Sequence, residues 1–160
     1  MTELARLAAA VAERLTERGE TVAVAESSAG GLISSALLAV PGASKFYTGG
    51  AVVYTARARL TLLDIPQKAM DGLRSASEPY AVLLARVVGK NLKATWGLSE
   101  TGAAGPDGNR YGDAAGHSCT AVVGREREVS HTIETGIDDR DANMQRFAEH
   151  ALALLLETLD

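Results

Sequence analysis

The chain has 160 residues, of which 46% are hydrophobic, and its formal net charge is −4. This length suits one domain with a substantial core, and we take residues 1–160 as that domain. No basic run indicates nucleic-acid binding, and no apolar run is long enough to span a membrane. The three histidines lack the spacing of metal ligands, so we expect no metal site.

The N-terminus lacks the basic start and long apolar core of a signal peptide. The single cysteine, Cys119, excludes an intramolecular disulfide and is compatible with a reducing compartment. It lies within an apolar alternation, where a cysteine is usually a small buried residue. We therefore expect a cytoplasmic protein in which Cys119 belongs to the core.

Helices alternate with strands in the first part of the chain. Apolar residues at helical spacing between Leu4 and Leu15 predict a first helix, which Gly19 ends. A buried strand over 21–25, a helix over 30–39 and a strand over 46–55 follow, with a bulge predicted at Gly49 and Gly50. Further helices are predicted over 56–63, after residue 66, and from Ser77, which acts as an N-cap.

The second part of the chain adds a strand over 95–100 and an antiparallel pair over 114–123 and 128–134. A last helix begins at Asp138 or Asp139. This order of elements predicts an α/β fold, a three-layer α/β/α domain with a mixed sheet. The glycine-rich connection over 104–112 is predicted to be the most mobile loop.

Two glycine-rich turns each follow a predicted strand. Residues 25–31 read Ala-Glu-Ser-Ser-Ala-Gly-Gly, and residues 101–108 read Thr-Gly-Ala-Ala-Gly-Pro-Asp-Gly. Backbone N–H groups in such a turn, together with a following helix, favour anions and developing negative charge. The glycines allow a ligand to approach the main chain closely. We expect one site built from both turns.

These segments resemble the C-terminal domain of the competence/damage-inducible CinA proteins, whose stand-alone form is nicotinamide mononucleotide deamidase. The family typically reads A-E-S-C-T-G-G, P-G-S-S, V-x-Y-x-N-x-x-K, S-E, T-G-I-A-G-P and V-G-T-V, in that order. The corresponding stretches here are 25–31, 41–44, 52–59, 77–78, 101–106 and 115–118. The resemblance implies the same three-layer fold and hydrolysis of a carboxamide without metal or cofactor.

The family uses a serine, a tyrosine and a lysine for catalysis. By motif position these are Ser44, Tyr54 and Arg59. Ser44 would attack the carboxamide and Tyr54 would orient or relay the proton. A desolvated lysine can act as a base, whereas guanidinium stays protonated, so Arg59 predicts slow or absent turnover. His117, which replaces a family threonine, is a candidate acid or base if it faces the pocket.

Each of these residues also has an ordinary structural interpretation: a loop or N-cap serine, a half-buried strand tyrosine, a solvated helix arginine and a tolerated strand histidine. The resemblance places substrate-binding residues in both turns and at the start of the last helix: Glu26, Ser27, Ala29, Gly30, Gly31, Thr101, Gly102, Gly105 and Arg140. Ala29 lacks the hydroxyl of the family threonine. For Glu26, hydrogen bonding to backbone N–H groups is an equally good interpretation.

Two functions remain open on the sequence. One is a hydrolase that deamidates nicotinamide mononucleotide, or a related pyridine nucleotide, to the acid nucleotide and ammonia. The other is a catalytically inactive nucleotide- or phosphate-binding module on the same fold, and a structural role with a vestigial pocket is a third, weaker class. The expected partner is a small-molecule nucleotide, with neither nucleic acid nor membrane. We also expect a homo-oligomer, most simply a dimer.

Overall fold

A computed structural model describes all residues from 1 to 160. The helices are Glu3–Arg18 (α1), Leu32–Leu38 (α2), Ala56–Leu63 (α3), Glu78–Asn91 (α4) and Arg140–Leu159 (α5). The strands are Val22–Glu26 (β1), Tyr47–Val52 (β2), Trp96–Ala103 (β3), His117–Gly124 (β4) and Arg127–Glu134 (β5). Short 3-10 helices cover Ala43–Lys45 and Gln67–Met70.

The five strands form one mixed sheet in the order β2-β1-β3-β4-β5. Strand β1 is parallel to both β2 and β3, whereas β4 is antiparallel to its neighbours β3 and β5. This confirms the predicted α/β class and the mixed sheet. Because β1, β2 and β3 run in the same direction, the segments that follow them meet at one edge of the sheet.

The helices cover both faces of the sheet and complete the three layers. On one face α1, α2 and α5 enclose the larger core cluster, which includes Trp96, Phe147 and Leu152. On the other face α3 and α4 pack over a second cluster around Leu84 and Val88. Cys119 is buried, as predicted. None of the helices combines the length and apolar character needed to cross a membrane.

The predicted elements are all present, and their ends differ for local reasons. Strand β2 ends at Val52, before the predicted residue 55, because the Thr55 hydroxyl accepts a hydrogen bond from Ala58 N–H and begins α3. The register irregularity in β2 falls at Thr48, one residue before the predicted glycine bulge. As predicted, Gly19 ends α1 in a left-handed conformation, and Asp139 caps α5.

Candidate functional site

A cavity of about 270 Å³ lies where the parallel strands end. We call it the inner chamber. Its lining is Ser27, Val53, Tyr54, Thr55, Ala56, Arg59, Ser75, Ala76, Tyr80, Thr101, Gly102, Asn109 and Tyr111. An adjoining outer chamber of about 460 Å³ shares Tyr54, Ala56, Arg59, Ser75, Asn109 and Tyr111, and adds Gln67, Met70, Leu73, Arg74 and Arg110. Arg59 therefore stands on the boundary between the two chambers.

The carboxylate of Glu26 accepts hydrogen bonds from the end of the first glycine turn and the start of α2. It accepts backbone N–H groups of Gly31 at 3.0 Å, Ile33 at 3.0 Å and Ser34 at 2.8 Å. These are N–H groups at the start of α2, which have no partners within the helix. Glu26 is fully buried and does not line the inner chamber, so it acts as an internal cap. The structural interpretation of Glu26 is the one that fits these contacts.

Glu100, on β3, holds the other side of the same turn. Its carboxylate accepts the N–H groups of Ser27 at 3.1 Å and Ala29 at 2.7 Å, and the hydroxyl of Ser28. Burial raises the pKa of Glu100, and these hydrogen bonds act in the opposite direction by favouring the ionised form. The sequence interpretation did not single out Glu100, although a carboxylate inside an otherwise buried strand was the available signal.

Together the two glutamates correct one expectation about the first turn. We expected its N–H groups to be free for a bound anion, but Glu26 and Glu100 accept most of them. The N–H of Gly30 is also used, because it donates to the carbonyl of Ser27. The main acceptors of this turn's N–H groups are thus the protein's own carboxylates, those of Glu26 and Glu100. Gly30, Gly31 and Ala29 do not line either chamber.

The structure also corrects the expected position of the nucleophile. Ser44 lies in the exposed 3-10 helix that precedes β2, whereas Tyr54 follows the end of β2. The six residues of β2 separate them, which is about 20 Å at ~3.3 Å per residue. Within one chain, Ser44 therefore lies at the opposite end of β2 from Tyr54 and lines neither chamber. The serine that does line the inner chamber with Tyr54 and Arg59 is Ser27, which the sequence interpretation had placed among the substrate-binding residues.

Hydrogen bonds of Arg140 connect Tyr54, in the segment between β2 and α3, with Gly105, in the loop after β3. Tyr54 is 61% exposed and lines both chambers. Arg140, at the start of α5, donates to the Tyr54 hydroxyl at 3.2 Å and to the carbonyl of Gly105. Neither Arg140 nor Gly105 lines a chamber. They fix the position of Tyr54, and contact with a ligand is not needed to explain them.

Arg59 is a buried cation without a counter-charge. It is only 7% exposed, yet no carboxylate lies within ion-pair distance. Its Nη1 donates to the Tyr80 hydroxyl at 3.3 Å and its Nη2 to the Gln67 amide oxygen at 3.2 Å. The Nε–H is buried without an acceptor. A buried charge without a counter-charge is costly, and active or binding sites are where such groups are retained.

Thr101 and Gly102, predicted to begin the second glycine turn, belong instead to the end of β3, and both line the inner chamber. The Thr101 hydroxyl accepts the N–H of Ala76 at 3.1 Å, while Nε2 of His117 donates to the Ala76 carbonyl at 2.7 Å. Ala76 has a left-handed backbone, with φ 57°, so these two bonds hold the wall of the cavity in a strained conformation. His117 itself does not line the cavity. It supports Ala76 and is not placed to act on a ligand.

Side-chain hydrogen bonds and an ion pair fix the later part of the loop after β3, around Asn109 and Asp113. The Asn109 side chain accepts the N–H groups of Tyr111 and Asp113, and Asp113 forms a two-pronged ion pair with Arg74 at 2.7 and 3.2 Å. The Tyr111 ring lies beside the guanidinium groups of Arg74 and Arg110, each 5.1 Å from the ring centroid. These contacts bring Asn109 and Tyr111 into the cavity wall. Sequence reasoning missed both, because only tertiary contacts identify them.

The chemistry available to the inner chamber follows from its lining. No lysine, histidine, aspartate or glutamate lines it, and its titratable side chains are Arg59 and the tyrosines. A guanidinium group has no acceptor for a proton, and a phenol must first lose its own proton before it can act as a base. Serine and threonine hydroxyls and a permanent cation suit the binding of a polar anion. The chamber thus has binding groups and a serine, but no evident general base.

Comparison with known proteins places the chain in a family. Residues 4–159 match the family described as "CinA C-terminal domain". The chain is 36% identical over 154 residues to a CinA-like protein of Myxococcus xanthus, and 35% identical over 146 residues to one of Chlorobium limicola. The matches cover 95% and 89% of this chain, but 36% and 34% of those proteins. The chain thus spans about a third of the length of these relatives.

Solved structures agree with the fold. A competence or damage-inducible protein from Enterobacter asburiae superimposes with a TM-score of 0.92 at 28% identity, with complete coverage of both chains. A CinA superfamily protein from Escherichia coli gives a TM-score of 0.90 at 27% identity, covering 97% of this chain and 90% of that one. The chain belongs to the CinA C-terminal domain family.

Proposed function

We propose that this chain binds a phosphorylated pyridine nucleotide in the two chambers and hydrolyses its carboxamide slowly or not at all. Membership of the CinA family supports the ligand class through the resemblance described above. The observation that carries the proposal is the buried, uncompensated charge of Arg59 in a cavity without a base. A bound anion would neutralise that charge.

The outer chamber supports a ligand with a second negative group. Arg110 has no carboxylate within ion-pair distance, and Arg74 shares its charge with Asp113. Tyr111, whose ring centroid is 5.1 Å from each of these two guanidinium groups, adds an aromatic side chain to the lining of both chambers. An aromatic ring with a phosphorylated sugar fits such a combination of cations and aromatic surface.

A second candidate function is slow deamidation with Ser27 as the nucleophile. The observation that favours it is that Ser27 and Tyr54 line the same chamber. Arg140 donates to the Tyr54 oxygen, which leaves the phenolic proton available for donation elsewhere. What this candidate lacks is a group to accept the serine proton. Such assistance is typically worth about 10²–10⁴-fold in rate.

Calorimetric titration with nicotinamide mononucleotide, paired with an ammonia assay on the same samples, tests the proposal. We expect saturable binding, with ammonia release close to the buffer blank. Arg59→Gln should weaken binding at least about tenfold, which corresponds to one lost charge-assisted interaction. Arg57→Gln is the matched control, because Arg57 is an exposed arginine on the same helix. Absence of binding in the wild type, or equal losses in both variants, would overturn the proposal.

We also propose that the chain forms a homo-oligomer, most simply a dimer, as the resemblance implies. Light scattering at micromolar concentration tests it, and a monomeric mass would contradict it.

A further inference from the structure

The two chambers leave open which negative group of a ligand meets Arg59. We propose that Arg59 is a carboxylate site, so that the chain binds the acid form of an aromatic nucleotide in preference to its carboxamide. This inference rests on the proposed function for the nucleotide part of the ligand. The carboxylate part rests on the surroundings of Arg59 alone.

The first argument concerns the charge balance. Arg59 supplies one positive charge to the inner chamber, and no other cation lines that chamber. A carboxylate carries one negative charge, whereas a phosphate monoester at neutral pH carries between one and two. A single carboxylate matches Arg59 with the smallest excess of charge.

The second argument concerns hydrogen-bond donors. Phosphate sites usually present several backbone N–H groups from a turn or helix start. Here the corresponding groups of Ser27, Ala29, Gly31, Ile33 and Ser34 already donate to internal carboxylates. A phosphate in the inner chamber would therefore depend on Arg59 and a few hydroxyls. A carboxylate has fewer lone pairs to satisfy and suits the flat fork of one guanidinium.

The third argument concerns the hydrogen bonds that the Arg59 guanidinium already makes. Its recorded acceptors are two neutral oxygens, on Tyr80 and Gln67, at 3.3 and 3.2 Å. Charge-assisted bonds to a carboxylate are shorter, at about 2.7–2.9 Å, and roughly twice as strong as neutral ones. A carboxamide oxygen would only add a further neutral acceptor. The phosphate of the ligand then falls to the outer chamber, where Arg110 lacks a carboxylate partner.

The test compares acid and amide ligands in pairs by calorimetry. The nucleotide pair is nicotinate mononucleotide with nicotinamide mononucleotide, and the small-ligand pair is nicotinate with nicotinamide. For the wild type we expect the acid to bind at least about tenfold tighter than the amide. Arg59→Gln should bring the ratio close to one, Arg59→Lys should keep part of it, and Arg57→Gln should leave it unchanged. Circular dichroism confirms that each variant is folded.

The outcomes separate this inference from the proposed function. If the nucleotides bind but the amide is bound as tightly as the acid, the inference is wrong and the proposed function stands. If nucleotides fail to bind while nicotinate is preferred over nicotinamide through Arg59, the proposed function is wrong and the carboxylate site stands. Inorganic phosphate that binds the wild type more tightly than nicotinate does, and no longer binds Arg59→Gln, would place phosphate at Arg59 and overturn the inference.

Discussion

Replacing Arg59 by lysine should give the inner chamber the base that it lacks. A lysine at this position would lie in a site that is 7% exposed for the arginine, with the neutral oxygens of Tyr80 and Gln67 as its nearest partners. Desolvation without a neighbouring carboxylate lowers the pKa of a lysine, by up to about 3–5 units when burial is complete. A lysine that titrates nearer to neutral pH can accept the proton of Ser27.

The expected gain in turnover of nicotinamide mononucleotide is about 10²–10⁴-fold, the usual contribution of general-base assistance. Ammonia release over a series of pH values measures it, and the rate should rise with pH as the lysine loses its proton. The matched controls are Arg59→Lys/Ser27→Ala, which should lose the gain, and Arg59→Lys/Ser44→Ala, which should keep it because Ser44 lies at the other end of β2. An Arg59→Lys protein that binds the nucleotide without any gain, or a gain that depends on Ser44, would refute this reasoning.

Three further predictions concern the scaffold of the site, and denaturant unfolding tests each. Glu100→Ala leaves the N–H groups of Ser27 and Ala29 and the hydroxyl of Ser28 without an acceptor, so stability should fall by about 3 kcal/mol or more, and Glu100→Gln should recover part of it. Gly97→Ala should cost a similar amount, about 3 kcal/mol, because its Cβ would overlap the backbone carbonyl of Ala85; a near-neutral effect would show that α4 can move. Burial alone would lower the pKa of His117, but Glu134 and a backbone carbonyl outweigh it and raise the pKa above its ordinary 6.5. The stability that His117 adds should thus be complete below pH 6.5 and disappear as pH rises through the higher folded value, so the cost of His117→Gln should shrink in alkali; a cost that grows with pH would contradict this assignment.

Much of the fold could be predicted because local pattern and tertiary role agree. The apolar face of α1 and the stop at Gly19 are read directly from residue spacing, and the alternation of helices and strands gives the parallel half of the sheet. The ends of strands were less accurate. Strand β3 continues to Ala103 because it pairs with His117, and that pairing joins residues that are distant along the chain.

The site was predicted in part. Ser27 and Tyr54, which follow β1 and β2, and Thr101, near the end of β3, do line one cavity, as expected for parallel strands. Ser44 was misplaced because motif order does not say which end of a strand a residue occupies, and Ser44 precedes β2. Ser27 directly follows β1, so the rule that sites form where parallel strands end would have favoured Ser27 as the nucleophile.

The use of the first turn could not have been predicted from the sequence. Whether its N–H groups face a ligand or an internal acceptor depends on Glu100, which is more than 70 positions away. Glycine content indicates that the main chain is accessible, but it does not say whether a ligand or a side chain of the protein will contact it. The same holds for Arg59, whose lack of a counter-charge is visible only when its neighbours in space are known.

A single proton NMR experiment tests the central claim most directly. Nicotinamide mononucleotide is mixed with the wild-type protein, and its ring protons are followed by saturation transfer at once and by chemical shift over hours. We predict saturation transfer to the ring protons, its loss in Arg59→Gln but not in Arg57→Gln, and an intact carboxamide throughout. No transfer in the wild type would contradict binding, and rapid conversion to the acid nucleotide would contradict the claim that Arg59 leaves this cavity without a base.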